Sequence, residues 1–255
     1  MTKNILYKYL DAKGGLAMLK NHSLQFTNAA KLNDPFDSHP SLINFSNVPV
    51  ERCRVWDSKT IEILESEQYR RQWRDSWICS LSQTFDNLLM WAHYCVNHQG
   101  VCIGIDIEKA DKYLSKILNG VNIGVDKIEV QYEEIIRKPD FFHDFSKDFF
   151  RYQISTKAKD WEYEQEIRLV LNDPISVFTP MALPYKPKKN NEWKDLRAYA
   201  LIGGECFSEL YFGINISERR KTSFIKIARS VNPEIKIYKM RPDLEFFKLI
   251  ASKID

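Results

Sequence analysis

The side chains with the clearest chemical potential lie late in the chain, in the segment WEYEQEIRLVL. Alternate residues of a β-strand point to one face, so a strand here places Glu164, Glu166 and Arg168 together. Two carboxylates and a guanidinium on one face suit either a solvated edge strand with a Glu–Arg pair or the wall of a cleft. In the cleft interpretation Glu166 is catalytic, and Glu164 and Arg168 tune it and bind substrate. Lys157 and Trp161, just upstream, add a cation and an aromatic ring at the same opening.

The tetrapeptide WAHY forms a second candidate group. Tyr94 and His93 are candidate catalytic side chains, and Trp91 is a candidate for contact with a substrate. The next histidine, His98, follows His93 by five residues, which excludes the HExxH spacing of a zinc site. A buried histidine with a structural role is the alternative interpretation of His93.

A third group is the NDPFD motif inside a long loop predicted over residues 28–50. Asn33, Asp34 and Asp37 offer polar groups to a ligand at the mouth of a cleft. The alternative is a turn that seats Phe36 in the core, because Asn and Asp before proline favour extended and turn geometry.

The periodicity of the chain predicts the elements that must position these groups. The predicted fold is α+β, a single domain over residues 1–255 with a mixed, mainly antiparallel sheet flanked by helices. Strands are predicted over residues 6–9, 24–27, 77–82, 100–106, 127–132, 164–171, 208–215 and 234–240. Helices are predicted over residues 87–94, 108–118, 218–231 and 244–253, and aromatic residues at near-helical spacing over residues 140–159 are interpreted as core packing. Residues 58–75 are predicted to be a charged helical insertion, and residues 208–253 a strand–helix–strand–helix segment.

Composition excludes several function classes. The chain has 37 Lys+Arg and 34 Asp+Glu, and the resulting charge of +3 is too small for general binding to nucleic acid or membrane. Only 9 residues are glycine, and neither GxGxxG nor GxxxxGK[ST] occurs. Rossmann dehydrogenases, P-loop NTPases and kinases are therefore excluded, because their phosphate loops need those glycines.

The 5 cysteines include no CxxC pair, which fits neither a disulfide framework nor a thiolate zinc site. The N-terminus has no signal-peptide run, and no uncharged stretch suits a membrane span. We therefore expect a cytoplasmic protein with no membrane association.

Five separated motifs, in order along the chain, resemble a bacterial family known as domain of unknown function 2971. They are Tyr7-Lys8-Tyr9, LNDPFD from Leu32, MWAHY from Met90, GVCIGID from Gly100, and the stretch from Lys157 to Arg168. The chain departs from the pattern at Ile105, where phenylalanine is usual. The resemblance implies no established reaction, and it suggests a bacterial defence or toxin setting.

The order of parts also resembles the ADP-ribosyltransferase fold, whose members bind NAD without a glycine-rich loop. Their late ExE triplet is matched by the triplet that ends at Glu166, and Tyr94 stands where their middle residue lies. Tyr7, Lys8 and Tyr9 occupy the first-strand position, where arginine or histidine is expected. The resemblance implies NAD as a substrate and Glu166 as the group that stabilises the ribose cation while nicotinamide leaves.

Two further hypotheses stay open. In the first, a nuclease or other phosphodiester-processing enzyme holds a divalent metal with Asp34, Asp37, Glu164 and Glu166. In the second, the protein is a non-enzymatic module whose basic stretches, residues 186–189 and 219–221, bind an anionic nucleic-acid or protein partner.

Overall fold

The computed structural model of the chain describes residues 4–49, 57–63, 76–114, 116–118, 121–123, 125–144, 148–172 and 197–254. The strands in these ranges are β1 (Ile5–Leu10), β2 (Ser23–Asn28), β3 (Ser76–Ser82), β4 (Val101–Asp106), β5 (Lys116–Leu118), β6 (Val121–Ile123), β7 (Val125–Glu129), β8 (Gln131–Glu133), β9 (Thr156–Ala158), β10 (Glu166–Asn172), β11 (Arg197–Leu201), β12 (Phe207–Phe212), β13 (Lys236–Pro242) and β14 (Leu249–Ile254). The α-helices are α1 (Ala12–Asn21), α2 (Ser58–Ile63), α3 (Leu88–Tyr94), α4 (Ile107–Leu114), α5 (Phe149–Ser155) and α6 (Glu218–Val231). Short 3₁₀ helices span Ala29–Lys31, Pro40–Leu42, Lys159–Glu164 and Gly204–Cys206.

One large sheet organises the fold. Its main path runs β11-β2-β3-β1-β4-β12-β13-β14, and β10 pairs with both β3 and β7 beside that path. Strands β12 and β13 pair in parallel, and the other pairs of this sheet are antiparallel. The predicted α+β class with a mixed, mainly antiparallel sheet is therefore confirmed.

Helices pack against one face of the sheet, the face that carries Leu6 of β1. We call it the helical face. Helices α1, α4 and α6 bury their apolar sides there in the largest hydrophobic core. Helix α1 approaches closely because Gly15 has no side chain: a Cβ atom at this position would lie 2.4 Å from Cγ2 of Val101. This core fixes β1 and β4, which also form the centre of the other face.

The opposite face carries Tyr7 and Tyr9 of β1, and we call it the site face. Helix α3 covers part of it, in a core that includes Tyr9, Trp91 and Tyr211. A smaller apolar cluster lies at the β10 end of the same face. The polar residues singled out in the sequence collect between these two clusters.

Several predicted elements differ from the observed ones. The strand predicted over residues 164–171 begins at Glu166, because Lys159–Glu164 is a 3₁₀ helix. Within residues 140–159, the aromatic stretch, the described part includes helix α5 and strand β9. Residues 244–253 end in strand β14 instead of the predicted helix. The predicted insertion is helical in α2, and its remainder, residues 64–75, lies outside the described residues.

Candidate active site

Helix α3 positions the WAHY segment. The Asn87 side chain caps its N-terminus by accepting hydrogen bonds from the backbone N–H groups of Leu89 and Met90. Trp91 is fully buried, and its indole N–H donates to the carbonyl oxygen of Phe85 at 2.7 Å. These contacts fix the helix on the sheet, so Tyr94 at its last turn is held in place.

Replacing Asn87 with alanine is expected to lower the free energy of unfolding by about 1 kcal/mol, since two N–H groups lose their acceptor. Chemical denaturation of the Asn87→Ala and Asn87→Asp variants tests this expectation. The aspartate keeps a capping oxygen, so this variant should stay within about 0.5 kcal/mol of wild type. Equal losses in the two variants would contradict the capping role.

The NDPFD motif forms a turn that directs Asp37 into the protein. Oδ1 of Asp34 accepts a hydrogen bond from the backbone N–H of Phe36. The ring of Phe36 is 56% exposed, so the expectation that this turn seats Phe36 in the core is wrong. The residues that the turn buries are Asp34, Asp37 and Ser38.

Arg168 joins this turn to strand β10. Its guanidinium binds both carboxylate oxygens of Asp37, at 2.8 and 2.7 Å, and both oxygens of Glu166, at 3.0 and 3.1 Å. It also donates to the Ser38 hydroxyl and to the carbonyl oxygen of Ile154. With 0% of its surface exposed, Arg168 is a buried residue of an interior strand, and the solvated edge strand considered for this segment is not formed.

Lys157 is the second buried cation. Its ammonium lies 2.5 Å from Oε2 of Glu164, 3.2 Å from Oε2 of Glu166 and 4.0 Å from Asp37. The Trp161 ring lies over the same ammonium, with its centroid at 4.9 Å. The three carboxylates and two cations form one group, which we call the ionic cluster: Asp37, Lys157, Glu164, Glu166 and Arg168.

Charge within the ionic cluster does not balance. Two cations and three carboxylates leave 2 − 3 = −1 when all are ionised. Burial alone would raise the pKa of Glu166, but the Arg168 guanidinium and the Lys157 ammonium outweigh it and lower that pKa to about 2. Glu166 is therefore ionised at neutral pH, and by formal count the poorly solvated cluster carries one negative charge in excess.

The cluster reaches the surface beside Glu164. The Tyr94 hydroxyl donates to Oε1 of Glu164 at 2.5 Å, and the exposed Asn33 amide donates to that hydroxyl at 3.5 Å. Burial raises the pKa of Tyr94, and the neighbouring Glu164 carboxylate raises it further, so the hydroxyl stays a neutral donor. Beside this opening, Nδ1 of His93 lies 3.0 Å from the hydroxyl of Tyr163.

The structure thus brings together most of the predicted site residues. Asn33, Asp37, Tyr94 and the Lys157–Arg168 stretch converge on the ionic cluster, with His93 at its rim. Trp91 supports the helix from within the core instead of offering its ring to a ligand. Asp34 lies in the same loop, and its Oδ2 is buried with no hydrogen-bond partner among the described residues.

The three candidate residues of β1, Tyr7, Lys8 and Tyr9, do not all lie on the same face of the sheet. Tyr9 lies on the site face and donates to the carbonyl oxygen of Thr84, while Tyr7 binds Glu209. Lys8 points to the helical face, where it donates to the carbonyl oxygen of Ser80 and lines a separate cavity of about 380 Å³. The strand alternation that separates them is visible in the sequence.

The local sequence does not identify Ser82 and Tyr132 as residues of the site. The hydroxyl of Ser82 donates to the carbonyl oxygen of Glu164, and the hydroxyl of Tyr132 accepts from the backbone N–H of Glu166. Both fix the end of the 3₁₀ helix and the start of β10. Their roles depend on pairing across the sheet, which local patterns do not reveal.

Metal binding by the acidic residues is not supported by the geometry. Among the described residues, no group of three or more His, Cys, Asp or Glu side chains could hold a metal ion. Three of the four carboxylates proposed as ligands, Asp37, Glu164 and Glu166, instead bind Lys157 and Arg168.

Comparison with protein families gives one match. The model of a family described as a protein of unknown function (DUF2971) matches residues 90–169, from α3 into β10. This segment includes Tyr94, Lys157, Glu164 and Arg168, so the resemblance noted from the motifs is supported over this range. Comparison with curated proteins and with solved structures gave no match. No helix within the described ranges is both long and apolar enough to cross a membrane.

Proposed function

We propose that this protein is an enzyme that cleaves the N-glycosidic bond of NAD or a related nucleotide, with Glu164 at the reaction centre. The observation that carries the proposal is the hydrogen bond from Tyr94 to Glu164, at the opening of a buried cluster with one excess negative charge. A carboxylate at such an opening suits a substrate that becomes cationic as it reacts.

The reaction would proceed by heterolysis. The bond between C1′ of the ribose and the nicotinamide nitrogen breaks, and its electron pair neutralises the pyridinium ring. The ribose becomes an oxocarbenium-like cation, which captures water at C1′ and releases a proton. A fixed negative charge in a poorly solvated site stabilises this cation more strongly than water does.

Glu164 suits this role better than Glu166, the residue favoured by the sequence. Glu166 and Glu164 are similarly buried, so their partners decide between them, and both oxygens of Glu166 bind cations. Glu164 binds Lys157 through one oxygen only, and its other oxygen faces the Tyr94 hydroxyl. A substrate that displaces the Tyr94 hydroxyl would contact Oε1 of Glu164, while Glu166 and Arg168 hold the cluster in place.

The aromatic residues at the opening suit a flat ring. Trp161 and Tyr163 lie 6.1 Å apart between ring centroids, and both are partly exposed. His93 packs edge-on against Tyr163. Together they offer a surface on which the leaving nicotinamide could stack.

The test is nicotinamide release from NAD by wild type, Glu164→Gln and Glu162→Gln. Glu162 lies in the same 3₁₀ helix but its side chain is 59% exposed, so its replacement is a matched control. We expect the Glu164→Gln rate to fall to background while the Glu162→Gln variant keeps the wild-type rate. Melting temperatures verify that each variant is folded.

The proposal is wrong if wild type releases no base from NAD or from related nucleotides, or if Glu164→Gln retains the full rate. A magnesium-dependent rise in melting temperature that Glu166→Gln abolishes would favour the phosphodiester hypothesis instead. Binding of an anionic partner without any turnover would favour the non-enzymatic one.

The proposed location is the cytoplasm. Cys79, Cys95, Cys102 and Cys206 are all free and buried, which supports a protein that functions in a reducing compartment.

A further inference from the structure

One row of residues crosses five strands of the site face. It consists of the paired positions Glu166, Ser82, Tyr7, Gly104 and Glu209, on β10, β3, β1, β4 and β12. Residues directly opposite each other in antiparallel strands project from the same face. Neighbouring strands are about 4.8 Å apart, so the row spans about 19 Å from Glu166 to Glu209.

The far end of the row is a carboxylate without a cation. Glu209 is 9% exposed, and its Oε2 accepts hydrogen bonds from Tyr7 at 3.1 Å and Tyr211 at 2.8 Å. No ion pair links it to a basic residue in the described part of the chain, and its Oε1 accepts no hydrogen bond there. Lys236, its paired neighbour on β13, is exposed. Oε1 of Glu209 is therefore open to a donor from water or from a ligand.

The residues around Glu209 fit a nucleoside. The rings of Phe85, Tyr211 and Tyr238 form a stack with centroid distances of 4.4 and 4.8 Å, and the two outer rings are partly exposed. An aromatic base can continue such a stack. A carboxylate oxygen beside it is a suitable acceptor for a ribose hydroxyl.

The absence of a side chain at Gly104 lets Tyr7 and Glu209 approach each other. Gly104 lies opposite Glu209, where a Cβ atom would come within 2.9 Å of the Cβ atom of Glu209 and 3.2 Å of the Tyr7 ring. Ser82 is similarly small and lies between Glu166 and Tyr7. The two small residues therefore allow the larger side chains of the row to pack beside each other.

We propose that Glu209 is a second ligand-binding residue, which accepts a hydrogen bond from the ribose of an adenosine moiety whose base stacks on the Phe85–Tyr211–Tyr238 rings. This inference rests on the proposed function in one respect: a dinucleotide would place its reactive nicotinamide nucleoside near Glu164 and its other nucleoside near Glu209. The site assigned to Glu209 is separate from the ionic cluster, so it can be tested alone.

The experiment measures adenosine binding calorimetrically to wild type, Glu209→Gln, Glu164→Gln and Glu234→Gln. Loss of a charge-assisted hydrogen bond is expected to weaken adenosine binding by about tenfold or more in Glu209→Gln. Glu164→Gln and the exposed control Glu234→Gln should bind adenosine as wild type does. Glu209→Asp keeps the charge but withdraws the carboxylate by one methylene, so it should also weaken binding if Glu209→Gln does not fold.

The outcomes separate this inference from the proposed function. Absence of adenosine binding to wild type, or unchanged binding to both folded Glu209 variants, overturns the inference even if NAD is cleaved. Adenosine binding that depends on Glu209, in a protein that releases no base from NAD or from related nucleotides, supports the inference and refutes the proposed function.

Discussion

Replacement of Arg168 by methionine is expected to lower the free energy of unfolding by about 3–5 kcal/mol, the usual cost of removing one partner of a buried ion pair. The guanidinium contacts Asp37 and Glu166 with four hydrogen bonds, and methionine provides none. Both carboxylates would then stay buried with only Lys157 as a counter-charge. Urea denaturation of the two proteins at neutral pH measures the loss.

Two further variants identify the cause. Arg168→Lys keeps the positive charge but cannot bind two carboxylates in the planar, bidentate geometry, so it should recover only part of the loss. Arg219→Met removes an exposed arginine of α6 and should change the free energy of unfolding by less than about 0.5 kcal/mol. A loss below about 1 kcal/mol for Arg168→Met would mean that the cluster contributes little to holding the NDPFD turn on the sheet.

The sequence predicts the chemistry of the cluster better than its burial. Strand alternation correctly places Glu166 and Arg168 on one face, because that depends only on local geometry. Burial of this face depends on Asp37, which lies 131 residues away along the chain. It also depends on β3 and β7, which make β10 an interior strand. Neither contact can be recognised from the local sequence pattern.

The C-terminal segment is a second case in which the local sequence does not predict the structure. Apolar residues at Leu244 and Phe247 are compatible with helical spacing, and the sequence therefore predicts a helix. In the structure both side chains are exposed, and residues from Leu249 onward pair with β13. Pairing with an available strand edge overrides local propensity, and the sequence does not show where that edge lies.

Tyr7 and Glu209 illustrate a third limit. Each is unremarkable in its own segment, and 202 residues separate them. They meet because β1 and β12 both pair with β4, which brings them beside Gly104. A site assembled across three strands can be recognised only when the strand order is known.

Acid is expected to remove the stabilisation that Glu166 provides. Its pKa is 4.5 in the absence of the fold and about 2 in the folded protein, so the unfolded chain binds more protons between about pH 5 and pH 2. The contribution is therefore fully present above about pH 5 and is lost as the pH falls toward 2. The pKa difference corresponds to about 3 kcal/mol.

Comparison with Glu166→Gln isolates this contribution from those of other carboxylates. Urea denaturation at several pH values between 7 and 2.5 should show wild type well above the variant at neutral pH, and the gap should shrink by about 3 kcal/mol as the pH falls. Glu162→Gln changes an exposed carboxylate of the neighbouring 3₁₀ helix. Its free energy of unfolding should depend on pH in the same way as that of wild type. A gap that stays constant with pH would mean that Glu166 binds its proton equally in both states. In that case the Arg168 and Lys157 cations would not stabilise its ionised form.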